Sequence, residues 1–275
     1  MTGTPARVKR FVKRLIPPLV LDAYSRVRFG TYHGSIWSGV YRHIRDVPVA
    51  GEGWAGSAWL SATLALTQTA LAEVRRTGTI PAGMPSHHAP LAQLAAVVHR
   101  LTGRVRVLDV GGGMGVSYAY LWSGMGQSDL VEYHVVDSAA ACEAGRRLFA
   151  DDDRIRFHED LPPLSELDIV YLGAMIQYVE DYESFLERVA AYRPAYLLLT
   201  FVPAGDIPTF ASQQRNMKAS RVACWFLNAG ELISVVERQG YALIYRGIMD
   251  RPFDMSNFPE QYRLTKMPHF LFART

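Results

Sequence analysis

The segment best suited to chemistry is a cluster of glycines that follows an acidic residue. Residues 107–115 read Val-Leu-Asp-Val-Gly-Gly-Gly-Met-Gly. The segment follows a run typical of a strand and precedes a run typical of a helix, which is the setting in which a glycine turn binds a ligand. Glycine permits such a tight turn and lets the backbone approach a ligand with no Cβ in between.

The spacing of the glycines distinguishes between two kinds of cofactor. A dinucleotide fingerprint needs glycines at its first, third and sixth positions, and the sixth position counted from Gly111 is Val116. The carboxylate of Asp109 would repel a pyrophosphate but suits a ligand that carries an ammonium and a sulfonium group. The spacing therefore favours S-adenosylmethionine as the cofactor. The turn residues expected to bind it are Asp109, Gly111, Gly112, Gly113 and Gly115.

A second acidic residue stands at the end of the next predicted strand. Asp137 follows the run 133–136 and can accept hydrogen bonds from both hydroxyls of a ribose. An aspartate here could instead cap the helix predicted over 138–149. We expect Asp137 and the adjacent Ser138 to bind the cofactor.

Two further strand ends supply candidates for the rest of the cofactor. Asp160, which we prefer to Glu159, follows the third predicted strand and could accept from the adenine amino group. Gly173 and Ala174 follow the fourth strand, and small residues there would let the cofactor lie against the backbone. These three residues complete the predicted cofactor site.

No single motif identifies a catalytic base. The predicted catalytic residues are His33, Gln177 and Tyr178, with His87 and His88 as further imidazoles that could form a lid. Gln213, Gln214 and Arg215 are expected to follow the fifth strand. The sequence gives no support for a metal site, since no carboxylate pattern joins the paired histidines.

The elements that must position these residues alternate between strand and helix. Such alternation predicts a parallel sheet covered on both faces, and two final strands over 241–248 and about 268–274 predict a closing antiparallel pair. The fold class is therefore α/β, with a mostly parallel Rossmann-like sheet, an antiparallel C-terminal strand and a mainly helical N-terminal lobe. The other predicted strands are 105–110, 133–136, 155–158, 169–172 and 196–201, and the predicted helices include 57–76, 91–101, 116–123, 138–149 and 181–191.

Two domains are expected, an N-terminal lobe over 1–100 and a cofactor-binding domain over 101–275. Residues 30–56 are predicted to be irregular and are rich in glycine and in aromatic residues. Their aromatic side chains could line a substrate pocket or pin the lobe to the core, and the sequence leaves both interpretations open. The lobe is the expected substrate cover.

Charge and composition limit the classes of partner that the protein is expected to bind. A formal net charge of +3 argues against a dedicated nucleic-acid binder, and two cysteines are too few for a disulfide framework, which favours the cytoplasm. Residues 1–28 carry seven Lys and Arg against one Asp. Within them, a basic amphipathic helix predicts either contact with an anionic membrane surface or docking on the protein itself. The expected substrate is a small molecule.

Residues from about 100 to 275 resemble class I S-adenosylmethionine-dependent methyltransferases. The matching positions are Asp109, the glycines of the turn, Asp137 and the segment after the fourth strand. The resemblance implies the Rossmann-like fold, the cofactor and methyl transfer.

A narrower resemblance is to a little-characterised bacterial group of methyltransferases, often encoded with surface-polysaccharide or secondary-metabolite genes. It rests on the Trp-x-Gly-x-Tyr segment 37–41, the triple glycine 111–113 and the pair Gln177–Tyr178. The group usually has Gly-Tyr where this chain has Gly53–Trp54. The leading hypothesis is a methyltransferase that acts on an oxygen atom of a glycan precursor or natural product. Alternatives are a protein that binds the cofactor without methyl transfer and an NAD-dependent oxidoreductase.

Overall fold

The computed structural model of the chain describes residues 35–125, 130–249 and 254–275. The described helices are α1 (Ser57–Thr77), α2 (Ala89–Thr102), α3 (Val116–Met125), α4 (Ala139–Leu148), α5 (Tyr182–Ala190) and α6 (Ala229–Glu237). The described strands are β1 (Trp37–Tyr41), β2 (Val105–Val110), β3 (Val131–Val136), β4 (Ile155–His158), β5 (Ile169–Gly173), β6 (Tyr196–Thr200), β7 (Ala204–Gly205), β8 (Phe210–Met217), β9 (Ser220–Asn228), β10 (Tyr241–Met249) and β11 (Met267–Arg274).

Seven of these strands form one sheet in the order β10-β11-β6-β5-β2-β3-β4. The strands β2 to β6 run parallel, and β11 lies antiparallel between β6 and β10. The predicted fold class is confirmed, including the antiparallel C-terminal strand. The sheet order reverses between β2 and β5, which makes the carboxyl ends of these two strands the place where open α/β sheets bind ligands.

The central strands are buried on both faces, which is why apolar residues predominate in them, although β2 also contains Arg106 and Asp109. Along β2, Val105 and Val107 pack against one helix layer, whereas Leu108 and Val110 pack against the other. The first layer contains α1, α2, α3 and α4, and the second contains α5 and α6. The site described below therefore sits on a rigid, fully covered sheet.

Helix ends follow their local sequence signals. The helices α1 and α2 end at Gly78 and Gly103, both in the left-handed conformation that glycine adopts without a Cβ penalty. The side chain of Asn228 caps α6 by accepting from the backbone N–H of Glu231 at 3.0 Å. The carboxylate of Glu231 accepts from Thr209 Oγ1, and that hydroxyl oxygen in turn accepts from the Asn228 N–H. These hydrogen bonds connect the first turn of α6 to Thr209.

A second, four-stranded sheet has the order β1-β8-β9-β7. It corrects two expectations: residues 37–41 form a strand instead of an irregular segment, and Gln213–Arg215 lie inside β8 instead of following β6 as a loop. Its core holds Trp37 edge-on to Phe226, with ring centroids 5.7 Å apart. Trp37 therefore pins this part of the chain to the protein.

The N-terminal segment is divided between these two structures. β1 pairs with β8, whereas α1 and α2 contribute to the helix layer of the large sheet. The predicted boundary at residue 100 stays a prediction. His33 and the basic segment 1–28 lie outside the described residues. Within the described ranges, we find no helix with the length and apolar character needed to cross a bilayer.

Candidate functional site

The glycine turn connects β2 to α3 at the carboxyl edge of the large sheet. Gly111, Gly113 and Gly115 have φ values of +76°, +59° and +85°, so each occupies a region that disfavours other residue types. The backbone N–H of Gly111 donates to Val136 O at 2.8 Å, which ties the turn to the end of β3. The backbone conformation of the turn is thus determined by the glycines in it.

The turn leaves no space for a side chain at Gly111 or at Gly112. A Cβ placed on Gly111 would lie 2.7 Å from Met175 Cβ, and one placed on Gly112 would lie 2.5 Å from Asp109 Oδ2. A Cβ on Gly113 would meet Thr63 Cγ2 of α1 at 3.4 Å, an ordinary contact. Helix α1 therefore lies over the turn, and of these three glycines only Gly113 would accept a Cβ without displacing a neighbour.

Asp109 is buried beneath the turn, with 1% of its surface exposed. Its Oδ2 accepts from the Tyr133 hydroxyl at 2.7 Å, while Oδ1 has no hydrogen-bond partner among the described residues. Burial raises the pKa of this carboxyl to about 7; hydrogen bonds from Tyr133 and Ser117 oppose the rise, and the nearby charge of Asp137 adds to it. A cationic ligand group next to Oδ1 would favour the ionised form.

Asp137 lies half-buried at the end of β3 and holds the turn from the side. Its Oδ2 accepts from the Gly113 N–H at 2.9 Å, and its Oδ1 accepts from the Ser138 N–H at 2.7 Å. Helix α4 begins at Ala139 with Ser138 at the N-cap, so Asp137 is not the capping residue. Each carboxylate oxygen retains a second lone pair that can accept from a ligand hydroxyl.

The end of β5 contributes a strained backbone. Ala174 has a φ of +55°, which is uncommon for a residue with a side chain, and its N–H donates to Thr200 O at 2.9 Å. A Cβ on Gly173 would lie 2.5 Å from the Tyr171 hydroxyl oxygen. Strain of this kind is found at ligand-binding edges, where the surrounding structure holds it in place.

The predicted cofactor residues thus meet at three neighbouring strand ends. Those at β2, β3 and β5 lie together around the turn, whereas Asp160 follows β4 and is exposed. No group of three or more His, Cys, Asp or Glu side chains in the described ranges could hold a metal ion.

A buried polar network under the turn escaped the sequence analysis. The Tyr171 hydroxyl donates to His87 O at 3.2 Å and lies 2.8 Å from Thr200 Oγ1 and 3.1 Å from His88 Nδ1. The Ser117 hydroxyl also lies 3.1 Å from that nitrogen. Burial, together with the neighbouring imidazole of His87, holds the pKa of His88 well below its usual range. The buried imidazole of His88 therefore favours its neutral form.

The pair Gln177–Tyr178 lies in a short 3-10 helix after β5. Gln177 is 3% exposed, and its Oε1 has no partner among the described residues. The Tyr178 hydroxyl donates to Gln214 Oε1 of β8 at 3.0 Å, and its ring lies 4.9 Å from that of Trp54. This pair therefore joins the large sheet to the second sheet and to the aromatic segment, a contact between distant parts of the sequence that no local pattern indicated.

No protein-family model matches the sequence, and a search of curated proteins finds no match. Among solved structures, the chain is similar to the 1,6-didemethyltoxoflavin-N1-methyltransferase of Burkholderia thailandensis, at 14% identity and a TM-score of 0.47, covering 82% of this chain and 95% of that chain. It is also similar to the CcbJ methyltransferase of Streptomyces caelestis, at 14% identity and a TM-score of 0.49, covering 76% and 98%.

A third similar structure is an S-adenosylmethionine-dependent methyltransferase of Clostridium acetobutylicum, at 10% identity and a TM-score of 0.46, covering 74% of this chain and 95% of that chain.

Proposed function

We propose that this protein is an S-adenosylmethionine-dependent methyltransferase that acts on a small molecule. The observation that carries the proposal is the buried carboxyl of Asp109, which has one oxygen without a partner, directly below a glycine turn at the sheet's switch point. Burial of a carboxyl with one unpaired oxygen is unfavourable, and a ligand cation would offset that cost.

The residues present fit this cofactor. Asp109 and the backbone of the turn would hold the charged methionine part, and Asp137 would accept from the ribose hydroxyls. Gly173 and Ala174 would lie against the cofactor, with Asp160 assigned to the adenine amino group. The missing Cβ atoms at Gly111 and Gly112 let the turn pack closely on Met175 and on the Asp109 carboxyl.

When bound, this cofactor supplies an electrophilic methyl group on sulfur, so the protein's main task is alignment of the acceptor atom. Gln177 has no proton that titrates near neutral pH. Burial raises the pKa of the Tyr178 phenol above its usual value, so Tyr178 keeps its proton. Neither side chain acts as a general base, and both serve to position the acceptor.

A narrower proposal for the acceptor rests on the resemblance to the bacterial group of methyltransferases described above. The residues that carry this resemblance are 37–41, 111–113 and 177–178. We infer O-methylation of a glycan precursor or natural product, with the described part of the N-terminal segment as part of the substrate cover. Trp54 supports this role, since it packs against Tyr178 beside the proposed site.

Two other functions make different predictions. An NAD-dependent oxidoreductase would place a pyrophosphate on the turn, next to the Asp109 carboxyl and with Val116 in place of the third glycine. A protein that binds the cofactor without methyl transfer would show the same affinity and no methylated product.

Calorimetric titration separates these alternatives. We expect S-adenosylmethionine and its demethylated product, S-adenosylhomocysteine, to bind with a stoichiometry of one, and NAD(H) not to bind. Binding of NAD(H) alone would overturn the proposal. Incubation with labelled methyl donor and acceptor extracts then tests whether methyl transfer follows binding.

A further inference from the structure

A cleft of about 960 Å³ lies at the amino edge of the large sheet, opposite the glycine turn. Its lining includes Arg104, Asp168 and Ala195, which directly precede β2, β5 and β6. The glycine turn follows the other end of β2. Because a strand rises about 3.3 Å per residue, the six residues of β2 separate the cleft from the turn by about 20 Å. A ligand in this cleft is therefore distinct from a ligand on the turn.

Positively charged side chains outnumber carboxylates in the cleft. The charged residues that line it are Arg104, Arg188, Arg193, Arg274, Glu166 and Asp168. The carboxylate of Glu166 accepts from Arg104 at 3.2 Å and from Arg106 at 2.8 Å. Asp168 Oδ2 accepts from the backbone N–H of Arg106 at 2.8 Å. Both acids are thus engaged at the start of β2, and the other three arginines of the cleft have no acidic partner among the described residues.

These three arginines come from adjoining elements. Arg274 Nη1 donates to the backbone oxygen of Arg193, which joins the end of β11 to the turn after α5. Arg188 lies on α5 and is close enough to Tyr192 to affect its phenol: burial raises the pKa of Tyr192, and the positive charge of Arg188 opposes the rise. Tyr192 also lines the cleft and directly precedes Arg193. Three guanidinium groups therefore meet at one cleft without a carboxylate to balance them.

Two residues of the cleft have a left-handed backbone. Glu166 has a φ of +56° and Arg193 a φ of +53°, a conformation that glycine adopts most readily. Strain of this kind concentrates at binding sites, where the surrounding structure holds it in place. A glycine at position 193 would relieve the strain but would remove a guanidinium group from the cleft. The strained backbone therefore indicates a role for the Arg193 side chain other than stability.

The chemistry of the lining defines the ligand. A guanidinium group donates two parallel hydrogen bonds to a phosphate, so a group of unpaired arginines favours a phosphate-bearing ligand. Two adjoining phosphates can engage more than one of these arginines, whereas a single phosphate offers fewer acceptors. Leu161, Leu164 and Tyr192 line the same cleft and provide apolar surface for an organic group.

We propose that this cleft is a second ligand site, which binds a small molecule that carries a diphosphate group. Arg188, Arg193 and Arg274 bind the phosphates, and the apolar side of the cleft contacts the organic group. This ligand is not the methyl acceptor, because about 20 Å separates the cleft from the glycine turn. The site does not depend on the proposed methyltransferase function.

Calorimetric titration of the full chain in magnesium-free buffer tests the ligand class. We expect inorganic pyrophosphate to bind with a stoichiometry of one and at least about tenfold more tightly than inorganic phosphate, since the second phosphate adds charge-assisted hydrogen bonds. ADP and geranyl diphosphate carry the same group on a nucleoside and on an isoprenoid chain. The one that binds more tightly identifies the class of the organic group.

Arg193→Gly separates binding from stability. It should weaken pyrophosphate binding at least about tenfold, whereas its midpoint of chemical denaturation should not fall, because glycine relieves the left-handed backbone. Arg188→Gln should weaken pyrophosphate binding to a similar extent. A matched control is Arg45→Gln, which changes an exposed arginine outside the cleft that has no acidic partner among the described residues. It should bind pyrophosphate within about twofold of the wild type.

The proposal is overturned if pyrophosphate does not bind, if it binds no more tightly than phosphate, or if Arg193→Gly and Arg188→Gln bind it like the wild type. Equal weakening by Arg45→Gln would show general attraction to a positive surface and would also overturn it. Failure of the methyl-donor proposal gives a different result, namely no binding of S-adenosylhomocysteine to the wild type with the pyrophosphate titrations unaffected.

Discussion

The hydroxyl of Tyr133 donates a 2.7 Å hydrogen bond to Oδ2 of Asp109 and leaves Oδ1 without a partner among the described residues. Burial raises the pKa of this carboxyl to about 7. Near neutral pH the ligand-free protein therefore contains a mixture of the neutral and ionised forms. A nearby cation would shift that mixture to the carboxylate.

We expect Asp109 to make the ligand-free protein less stable as the pH rises from about 4 to about 7. In the unfolded chain the carboxyl ionises near 3.8, whereas the folded protein keeps it protonated up to about 7. The protonated carboxyl stabilises the folded protein fully below the pKa of the unfolded chain. This stabilisation is lost as the pH rises through the pKa of the folded protein. Within this interval the free energy of unfolding falls by about 1.4 kcal/mol per pH unit relative to Asp109→Asn.

Chemical denaturation of wild type and Asp109→Asn at several pH values measures this difference. A matched control is Asp151→Asn, which removes an exposed carboxyl from a surface turn. Its unfolding free energy should follow that of the wild type across the range. Parallel curves for wild type and Asp109→Asn would show that the buried carboxyl does not titrate as proposed.

Cofactor binding should release a proton near pH 7. The positive groups of S-adenosylmethionine would stabilise the Asp109 carboxylate, so molecules that carry a protonated Asp109 must lose the proton as the ligand binds. The calorimetric binding enthalpy should then differ between phosphate and Tris buffers, which have different heats of ionisation. Asp109→Asn should abolish the difference, and equal enthalpies in both buffers for the wild type would contradict the prediction.

The sequence predicted the large sheet and the glycine turn because local rules determine both. Strands buried on both faces are rich in apolar residues, as β2 and β5 are, and positive φ values in a tight turn favour glycine. These rules need no knowledge of distant contacts. The roles of the strand-end residues toward a cofactor stay predictions, although most of them lie together.

The second sheet could not be predicted in the same way. Strand β8 is buried at Phe210–Ser212 and only partly buried beyond, so its apolar pattern is weak. It pairs with β1, which lies far away in the chain, with Trp37 opposite Gln214. The contact between Trp54 and Tyr178 and the network around Tyr171 also join distant segments. Such pairings depend on the whole fold, and no short window of sequence contains them.

Gly113→Ala should separate backbone strain from loss of ligand binding. A Cβ at Gly113 meets Thr63 Cγ2 at an ordinary 3.4 Å, so the change in stability comes from the left-handed backbone and should be about 1–2 kcal/mol. Gly103→Ala is the control, because Gly103 has a similar conformation and nothing within 4 Å of an added Cβ. Both variants should lose similar stability in chemical denaturation.

The affinity for S-adenosylhomocysteine should differ between these two variants. Gly113→Ala should bind at least about tenfold more weakly, because the Cβ enters the space that the ligand needs, whereas Gly103→Ala should bind like the wild type. Equal affinities in calorimetry would place the ligand away from Gly113.

Tyr171→Phe should test the buried network beneath the site. The hydroxyl of Tyr171 contacts Thr200, His88 and the backbone of His87, and its loss leaves buried polar groups without that partner. We expect the free energy of unfolding to fall by about 1–3 kcal/mol. Tyr192→Phe is the control, since the Tyr192 hydroxyl donates to Pro162 O at 2.6 Å from a partly exposed position where water can replace it. Its loss should be about 1 kcal/mol or less, and equal losses in the two variants would show that the network adds nothing to stability.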